Sequence, residues 1–350
     1  MITPAAMTMA AARPVAVFVL GAQRSGTSAI TRVLSLCGGA LPSALLGADL
    51  ANPAGFWEPR KAVDLNEAIL YRLGSNWADP ILRLPDDGPL SAQNTASVSQ
   101  IDAFLSKLPA ASLLIIKEPR ITVLSGVWFE AARRAELDIA AVIAVRHPHE
   151  VAASLATHGR TSPELASALW LKYCLLAERC TRGLPRVFVD YANLLDDWRR
   201  ETTRISRALP IDLSAPNEAA VEEFLKPNLR RQRYFGPVTD LFGTDWLSAV
   251  YQALGAAARD EPFDTSALDS IFEAYQSGAQ DFRKVFKDFD DHFNRTLVRT
   301  LFPPFISRRV RAASVLATRL GIAPHRLRHY GQFPAGNSRE HQSDPLPQGV

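Results

Sequence analysis

The sequence has few cysteines, and none of them is placed for a cross-link or a metal site. Its 350 residues contain three Cys, with no CxxC pair and no His at ligand spacing from any of them. A disulfide framework and a zinc site are therefore not predicted, and we expect no metal. Reduced thiols fit a cytosolic protein.

Long apolar runs are also missing. No stretch approaches the roughly 18 to 20 apolar residues that are needed to cross a bilayer. Residues 1–14 are rich in Ala and lack the apolar core of a secretion signal. We therefore expect a cytoplasmic protein that is soluble, and peripheral contact with the inner membrane face is an open alternative.

Acidic residues are absent between Asp291 and Glu340, a segment that contains nine Arg. Within it, Phe305 to Leu320 can form a helix with an apolar stripe and an arginine face. Such a helix either packs on the domain or lies on an anionic membrane surface, and the sequence leaves both open. No nucleic-acid motif accompanies the arginines, so nucleic acid is not an expected partner.

Four short apolar runs predict the strands of a sheet. They cover 15–20, 112–117, 139–145 and 186–190, and they alternate with helical patterns at 28–37, 123–136, 163–182 and 195–209. Nearly continuous apolar strands separated by helices indicate a parallel sheet that is covered on both faces. The predicted fold class is α/β, with a P-loop-type parallel sheet and a mostly helical C-terminal extension.

The same patterns divide the chain into three parts. We expect an α/β domain at 14–235, a helical part at 236–302 that packs on the same domain, and a basic tail at 303–350. The last fifteen or so residues are rich in Pro, Ser, Gln and Gly, a composition typical of disorder.

The first predicted strand runs into a glycine-bearing loop, Gly21-Ala-Gln-Arg-Ser-Gly-Thr-Ser28. The loop has the spacing of a P-loop, but Thr27 stands where nucleotide hydrolases have the Lys that reaches a triphosphate. Triphosphate chemistry is therefore disfavoured. The backbone amides of such a turn still form an anion site, and Arg24 adds a planar pair of donors.

A second anion-binding pattern follows the third predicted strand. Arg146 ends that strand, and Ser154 comes eight residues later, near the first turn of the next helix. An arginine offers a bidentate contact to a phosphate, and the serine offers a hydroxyl. Because ligands of parallel sheets bind beyond the carboxyl ends of the strands, we expect Arg24, Lys117 and Arg146 to lie at one edge.

With these two patterns, the sequence resembles the sulfotransferases that use 3'-phosphoadenosine 5'-phosphosulfate (PAPS). The resemblance implies that Arg24-Ser25-Gly26-Thr27-Ser28 binds the 5'-phosphosulfate, and that Arg146 and Ser154 bind the 3'-phosphate. It extends over most of residues 15–235 and is closest to the bacterial carbohydrate-type branch, through the segments Asn52–Glu58, Lys117–Arg120, Leu169–Trp170 and Val189–Tyr191. The usual Lys-Asp-Pro-Arg of that branch has Glu118 in place of Asp.

The resemblance also implies roles in catalysis. Sulfuryl transfer needs a base for the acceptor hydroxyl and cations for the developing charge. Glu58 matches the family's base by order and setting, and Glu118 is the alternative. Lys117 and Arg24 are the expected charge stabilisers. Arg230 and Arg231 are candidates for one further cation near the phosphates of the adenylate, although a solvated helix end would explain them equally well.

The implied function is therefore transfer of a sulfuryl group from PAPS to a hydroxyl, on a carbohydrate or a glycolipid, without a metal. Two other functions stay open at this point. One is a non-catalytic nucleotide-binding scaffold of a glycan-assembly system, and the other is a P-loop phosphotransferase, which Thr27 disfavours. The acceptor itself has no motif in the sequence.

Overall fold

The computed structural model describes residues 13–48, 52–82, 92–159, 161–213, 216–226 and 229–278, which belong to one compact unit. The predicted basic tail at 303–350, with its amphipathic helix and its disordered end, lies outside these ranges. So does the part of the predicted helical extension beyond residue 278. The predicted domain limits at 235 and 302 stay predictions.

The centre of the unit is a sheet of four strands: β1 (Val15–Leu20), β2 (Leu113–Ile116), β3 (Asp138–Val145) and β4 (Arg186–Asp190). All neighbouring strands are parallel, in the order β2-β1-β3-β4. Val15 pairs with Leu113 on one side and with Asp138 on the other. The predicted α/β class is confirmed, and each strand lies within one residue of its predicted limits.

Helices cover both faces of the sheet. In chain order they are α1 (Thr27–Leu36), α2 (Arg60–Arg72), α3 (Ala92–Leu105), α4 (Ser125–Arg134), α5 (Pro148–Gly159), α6 (Pro163–Cys180), α7 (Tyr191–Asp196), α8 (Trp198–Ala208), α9 (Glu218–Phe224) and α10 (Trp246–Ala258). A further helical segment covers 265–278. The helix α10 packs against β4 and α6. Among the described helices, none is long and apolar enough to cross a bilayer.

The side chains of β1 alternate between two hydrophobic cores because successive residues of a strand point to opposite faces. Phe18 faces α4, where its ring centroid lies 6.3 Å from that of Trp128 and 5.3 Å from that of Phe129. Val17 belongs to the other core, together with Ile30 of α1. Burial on both faces accounts for the continuous apolar run that marks this strand in the sequence.

One predicted helix is in fact two. The pattern predicts a single helix over 195–209, but α7 ends at Asp196 and α8 begins at Trp198. The residue between them, Asp197, has a non-helical backbone (φ -148°, ψ 85°), and its carboxylate accepts a hydrogen bond from the backbone N of Arg200 at 3.0 Å. An aspartate in this capping position starts a new helix.

The strand order brings the carboxyl ends of β2, β1 and β3 side by side. Lys117 follows β2, the loop that starts at Gly21 follows β1, and Arg146 follows β3. The edge of the sheet where the sequence predicts an anion site therefore carries all three segments.

Candidate active site

The loop between β1 and α1 has a backbone that requires glycine at two positions. Gly21 and Gly26 have φ angles of 121° and 91°. A Cβ on Gly21 would lie 2.8 Å from the carbonyl O of Ala144, and one on Gly26 would lie 2.3 Å from Cδ2 of Tyr191. Gly26 precedes α1, whose first turn has no side-chain cap. The loop therefore packs closely against Ala144 and Tyr191. The first backbone amides of α1 have no side-chain acceptor.

Ser25 supplies an independent sign of a ligand at this loop. It is fully buried, and among the described residues its Oγ has no hydrogen-bond partner. An unpaired hydroxyl in a protein interior costs free energy and needs an explanation. Together with the uncapped amides of α1, the hydroxyl fits an anion with several acceptor oxygens, such as a phosphosulfate.

Arg24 joins the loop to the segment after β3. Its Nε donates to Oγ of Ser154 at 3.0 Å, and its carbonyl oxygen accepts from Nη1 of Arg146 at 2.8 Å. The two predicted anion-binding segments are therefore in direct contact. Ser154 lies in the second turn of α5, rather than near the first as predicted, because α5 begins at Pro148. Arg24 has a φ of 66°, a left-handed conformation that is uncommon outside glycine.

Glu150 is a fully buried carboxylate that the sequence analysis missed. It accepts hydrogen bonds from Nε of Arg146 at 2.8 Å, from Nε of Arg230 at 3.1 Å and from the backbone N of Tyr234 at 3.0 Å. Burial alone would raise the pKa of Glu150, but the hydrogen bonds from Arg230 and Arg146 outweigh it and lower the pKa. The spacing of four residues between Arg146 and Glu150 is the sequence signal that could have revealed the pair.

Residues 229–245, which we call the strap, connect α9 to α10 and contact this cluster. The carbonyl oxygen of Gln232 accepts from Nη2 of Arg146 at 3.0 Å, and the backbone N of Thr239 donates to Nε2 of His149 at 2.7 Å. Of the two arginines considered for a further cation, Arg230 lies in the cluster through Glu150, whereas the side chain of Arg231 is exposed.

Lys117 and Glu58 form a buried ion pair beside the loop. Nζ of Lys117 lies 2.6 Å from Oε1 of Glu58, and the two residues are 2% and 7% exposed. The same ammonium donates to the carbonyl oxygen of Phe56 at 3.0 Å and to Oγ of Ser28 at 3.2 Å. All three N–H bonds of Lys117 are therefore used, and one of them reaches the loop.

The segment that carries Glu58 is held in an unusual conformation. Trp57 has a φ of 58°, which is costly for a bulky residue. Its Nε1 donates to the carbonyl oxygen of Ala54 at 3.0 Å, and the guanidinium of Arg32 lies 4.4 Å from the centroid of its ring. These contacts hold the turn that directs both the Phe56 carbonyl and the Glu58 carboxylate towards Lys117. Strained residues of this kind are concentrated at functional sites.

Glu118, the alternative base, lies in a different environment. Its carboxylate is fully buried and accepts hydrogen bonds from the Asn66 side chain, the Arg120 guanidinium and the Arg120 backbone N. Nε1 of Trp128 donates to Oδ1 of Asn66 at 2.7 Å, which extends the network into the core. Burial raises the pKa of Glu118 despite the neighbouring Arg120. Glu118 therefore ties α2 to the sheet, and Glu58 is the carboxylate next to the loop.

The comparisons with known proteins give similarity of fold only. No protein-family model and no curated protein matches the sequence. Three solved structures are similar: a sulfotransferase domain from the Synechococcus PCC 7002 olefin synthase, a sulfotransferase domain from the curacin biosynthetic pathway, and the sulfotransferase STF1 from Mycobacterium tuberculosis H37Rv.

The sequence identities to these three are 18%, 16% and 16%, and the TM-scores are 0.35, 0.33 and 0.32. The matches cover 75%, 72% and 61% of this chain, and 95%, 99% and 71% of the three structures in the same order. Values this low establish neither a family nor an activity for the chain.

Proposed function

We propose that the chain is a sulfotransferase that moves a sulfuryl group from PAPS to a hydroxyl of a carbohydrate or glycolipid. The observation that supports this most is the junction at Arg24, which contacts both Ser154 and Arg146. This junction joins one site for a phosphosulfate to another for a second phosphate. A ligand that carries both anions on one nucleoside fits the pair of sites.

The two sites differ in how they offer positive charge. The loop offers backbone amides, the Ser25 hydroxyl and Lys117, a set suited to the 5'-phosphosulfate. The second site offers Arg146 and Arg230 around one carboxylate, Glu150. With Arg24 at Ser154, three guanidinium groups outnumber the two nearby carboxylates, Glu150 and Asp190, and this excess of positive charge suits a phosphate.

Glu58 is the group that we assign to proton transfer. It takes the proton of the acceptor hydroxyl while a bond forms between the acceptor oxygen and sulfur. The bond between sulfur and the bridging phosphate oxygen breaks, and that oxygen keeps the electron pair and leaves with adenosine 3',5'-bisphosphate. Lys117 stabilises the charge that develops on the transferring group. To do so it exchanges one of its contacts, and the one to Ser28 is the longest at 3.2 Å.

A magnesium-dependent phosphotransferase fits the site less well. In a P-loop enzyme, the hydroxyl at the position of Ser28 is a ligand of the magnesium ion. Here Oγ of Ser28 accepts from the Lys117 ammonium and donates to the Phe56 carbonyl at 3.2 Å. Lys117 already supplies a positive charge at that hydroxyl.

Two measurements on the purified chain test the proposal. Adenosine 3',5'-bisphosphate should raise the thermal midpoint well above the value seen with adenosine 5'-phosphate, which lacks the 3'-phosphate. The chain should then transfer labelled sulfate from PAPS to at least one member of a glycan and glycolipid panel, with or without a magnesium chelator. The absence of any bisphosphate-specific stabilisation would disprove nucleotide use. Stabilisation without transfer would favour the non-catalytic scaffold.

A further inference from the structure

The first part of the strap, together with the residues just before it, is basic, whereas its second part contains Asp240 and Asp245. Between Lys226 and Thr239 the sequence has four basic residues, Lys226, Arg230, Arg231 and Arg233, and no carboxylate. Arg230 is engaged by Glu150, and Lys226 and Arg231 are exposed. The first acidic residue after this stretch, Asp240, accepts hydrogen bonds from the backbone N and the Oγ of Ser248.

The same strap exposes three large aromatic side chains, of which Tyr234, 38% exposed, packs against His147 and His149. Phe235 is 87% exposed and Phe242 is 49% exposed, whereas Val238 and Leu241 pack against the core. The strap is therefore anchored by its aliphatic residues and turns its phenylalanines towards solvent. Phe235 follows Arg231 and Arg233 closely in the sequence, and exposed apolar side chains flanked by cations are typical of an interaction surface.

The backbone at Phe242 strengthens this inference. Phe242 and the following Gly243 have φ angles of 64° and 67°. A left-handed conformation favours Gly or Asn and is costly for a bulky residue. Phe242 thus combines an unfavourable backbone with an apolar side chain that is half exposed. Neither property stabilises the isolated chain, and both are compatible with a role in binding.

We propose that the strap docks on an anionic lipid surface, with Phe235 and Phe242 among the headgroups and Lys226 and Arg231 beside the lipid phosphates. Aromatic rings favour the boundary between water and membrane, and basic residues add attraction to an anionic leaflet. The proposal concerns binding alone and does not require sulfuryl transfer. Taken with the proposed function, it brings the site to acceptors that are carried by a membrane.

A lipid surface fits these residues better than a protein partner. A stable protein interface buries roughly 800 Å² on each side and needs matched contacts over that area. Two phenylalanines on one short strap offer much less apolar surface. Shallow insertion into a membrane needs only a few apolar side chains flanked by cations.

Vesicle sedimentation of the full-length chain tests the proposal. The unmodified chain should bind vesicles of phosphatidylcholine mixed with phosphatidylglycerol and should not bind phosphatidylcholine alone. The double substitution Phe235→Ser, Phe242→Ser should lower the partition coefficient by about tenfold or more, and Arg231→Gln should lower it about fivefold. Tyr71→Ser removes an aromatic residue that is 55% exposed on α2 and should have no effect.

A probe at the strap separates its binding from that of the arginine-rich segment, which all these variants retain. An environment-sensitive fluorophore on Phe235→Cys should shift to the blue with anionic vesicles, and the same label on Tyr71→Cys should not. Cys37 and Cys174 are buried and Cys180 is partly buried, so the labelled parent chain supplies the background. Equal vesicle binding by the double variant, or no shift at position 235, would overturn the proposal.

Discussion

Lys117 Nζ and Glu58 Oε1 lie 2.6 Å apart, and both side chains are almost fully buried, although 58 residues lie between the two positions in the sequence. One partner follows β2, and the other precedes α2. Within the described part of the chain, Lys117 is the only donor to the Glu58 carboxylate. The pair therefore fixes the position of a carboxylate beside the loop that we assign to the phosphosulfate.

Glu58→Gln tests the assignment of the base. The amide keeps the size of the side chain but cannot take a proton, so turnover should fall by about 10²- to 10⁴-fold. The affinity for adenosine 3',5'-bisphosphate should change little, because Lys117 and the loop remain. Calorimetry and a sulfate-transfer assay measure the two quantities. Glu130→Gln on the exposed side of α4 is the matched control, and loss of nucleotide binding together with turnover would assign Glu58 a structural role instead.

Arg146→Ala tests the second anion site. The substitution removes hydrogen bonds to Glu150, to the Arg24 carbonyl and to the Gln232 carbonyl. The affinity for adenosine 3',5'-bisphosphate should fall by about 10- to 100-fold, the range expected for loss of a charged hydrogen bond. The weak binding of adenosine 5'-phosphate should change much less.

Two further variants make the Arg146 experiment specific. Arg146→Lys keeps the charge but loses the planar donor pair, so its affinity should lie between those of the unmodified chain and Arg146→Ala. Arg134→Ala on α4 removes an exposed arginine that pairs with Glu130 and should bind normally. An Arg146→Ala chain that loses both nucleotides equally would not support a 3'-phosphate contact.

Ser25→Ala tests whether the unpaired hydroxyl is kept for a ligand. Without ligand, the substitution removes a buried polar group that has no partner, so the thermal midpoint should stay the same or rise. With adenosine 3',5'-bisphosphate or PAPS, the ligand-induced increase in midpoint should be smaller than in the unmodified chain. A fall in the midpoint without ligand, with the ligand effect intact, would show that the hydroxyl has a structural use.

Glu150→Gln tests the electrostatic role of the buried carboxylate through the pH dependence of stability. The pKa of Glu150 in the folded chain lies below its ordinary value of 4.5. Its stabilisation is therefore fully present above pH 4.5 and is lost as the pH falls through the lower, folded pKa. At pH 7 the variant should lose about 1 to 3 kcal/mol of unfolding free energy.

Urea titrations at several pH values check this prediction. The difference in unfolding free energy between the unmodified chain and Glu150→Gln should shrink from pH 7 towards pH 3. The matched control Glu130→Gln should show a small difference at every pH, because its partners are exposed and screened by solvent. A pH-independent difference for Glu150→Gln would mean that packing, and not charge, accounts for the loss.

The sequence predicted the sheet and the loop well because both follow local rules. Buried parallel strands are continuous apolar runs, and a glycine loop before a helix has a fixed spacing. The helix predicted at 195–209 begins at Trp198 instead, because the side chain of Asp197 caps it and separates it from α7. The helices α2, α3 and α9 were not predicted.

The contacts of the candidate site were harder to predict from the sequence because they join distant parts of the chain. Glu150 meets Arg230 across 80 residues, and Asn66 meets Glu118 across 52. Neither pair has a spacing that a periodic pattern would reveal. Asn66 is a buried amide whose use depends on Trp128 and Glu118 both being adjacent in the fold. Such networks depend on tertiary packing, which no local propensity specifies.

The central position of β1 in the sheet also bears on the order in which the molecule is assembled during synthesis. β1 is the first of the four strands to be made, but it pairs with β2 and β3, which follow it by about a hundred residues or more. Ser154 is 130 residues beyond Arg24, and chains grow at about 5 to 20 residues per second. The loop therefore waits roughly 6 to 26 seconds for its partners, and a nascent chain that ends before α5 cannot yet form the contact between Arg24 and Ser154.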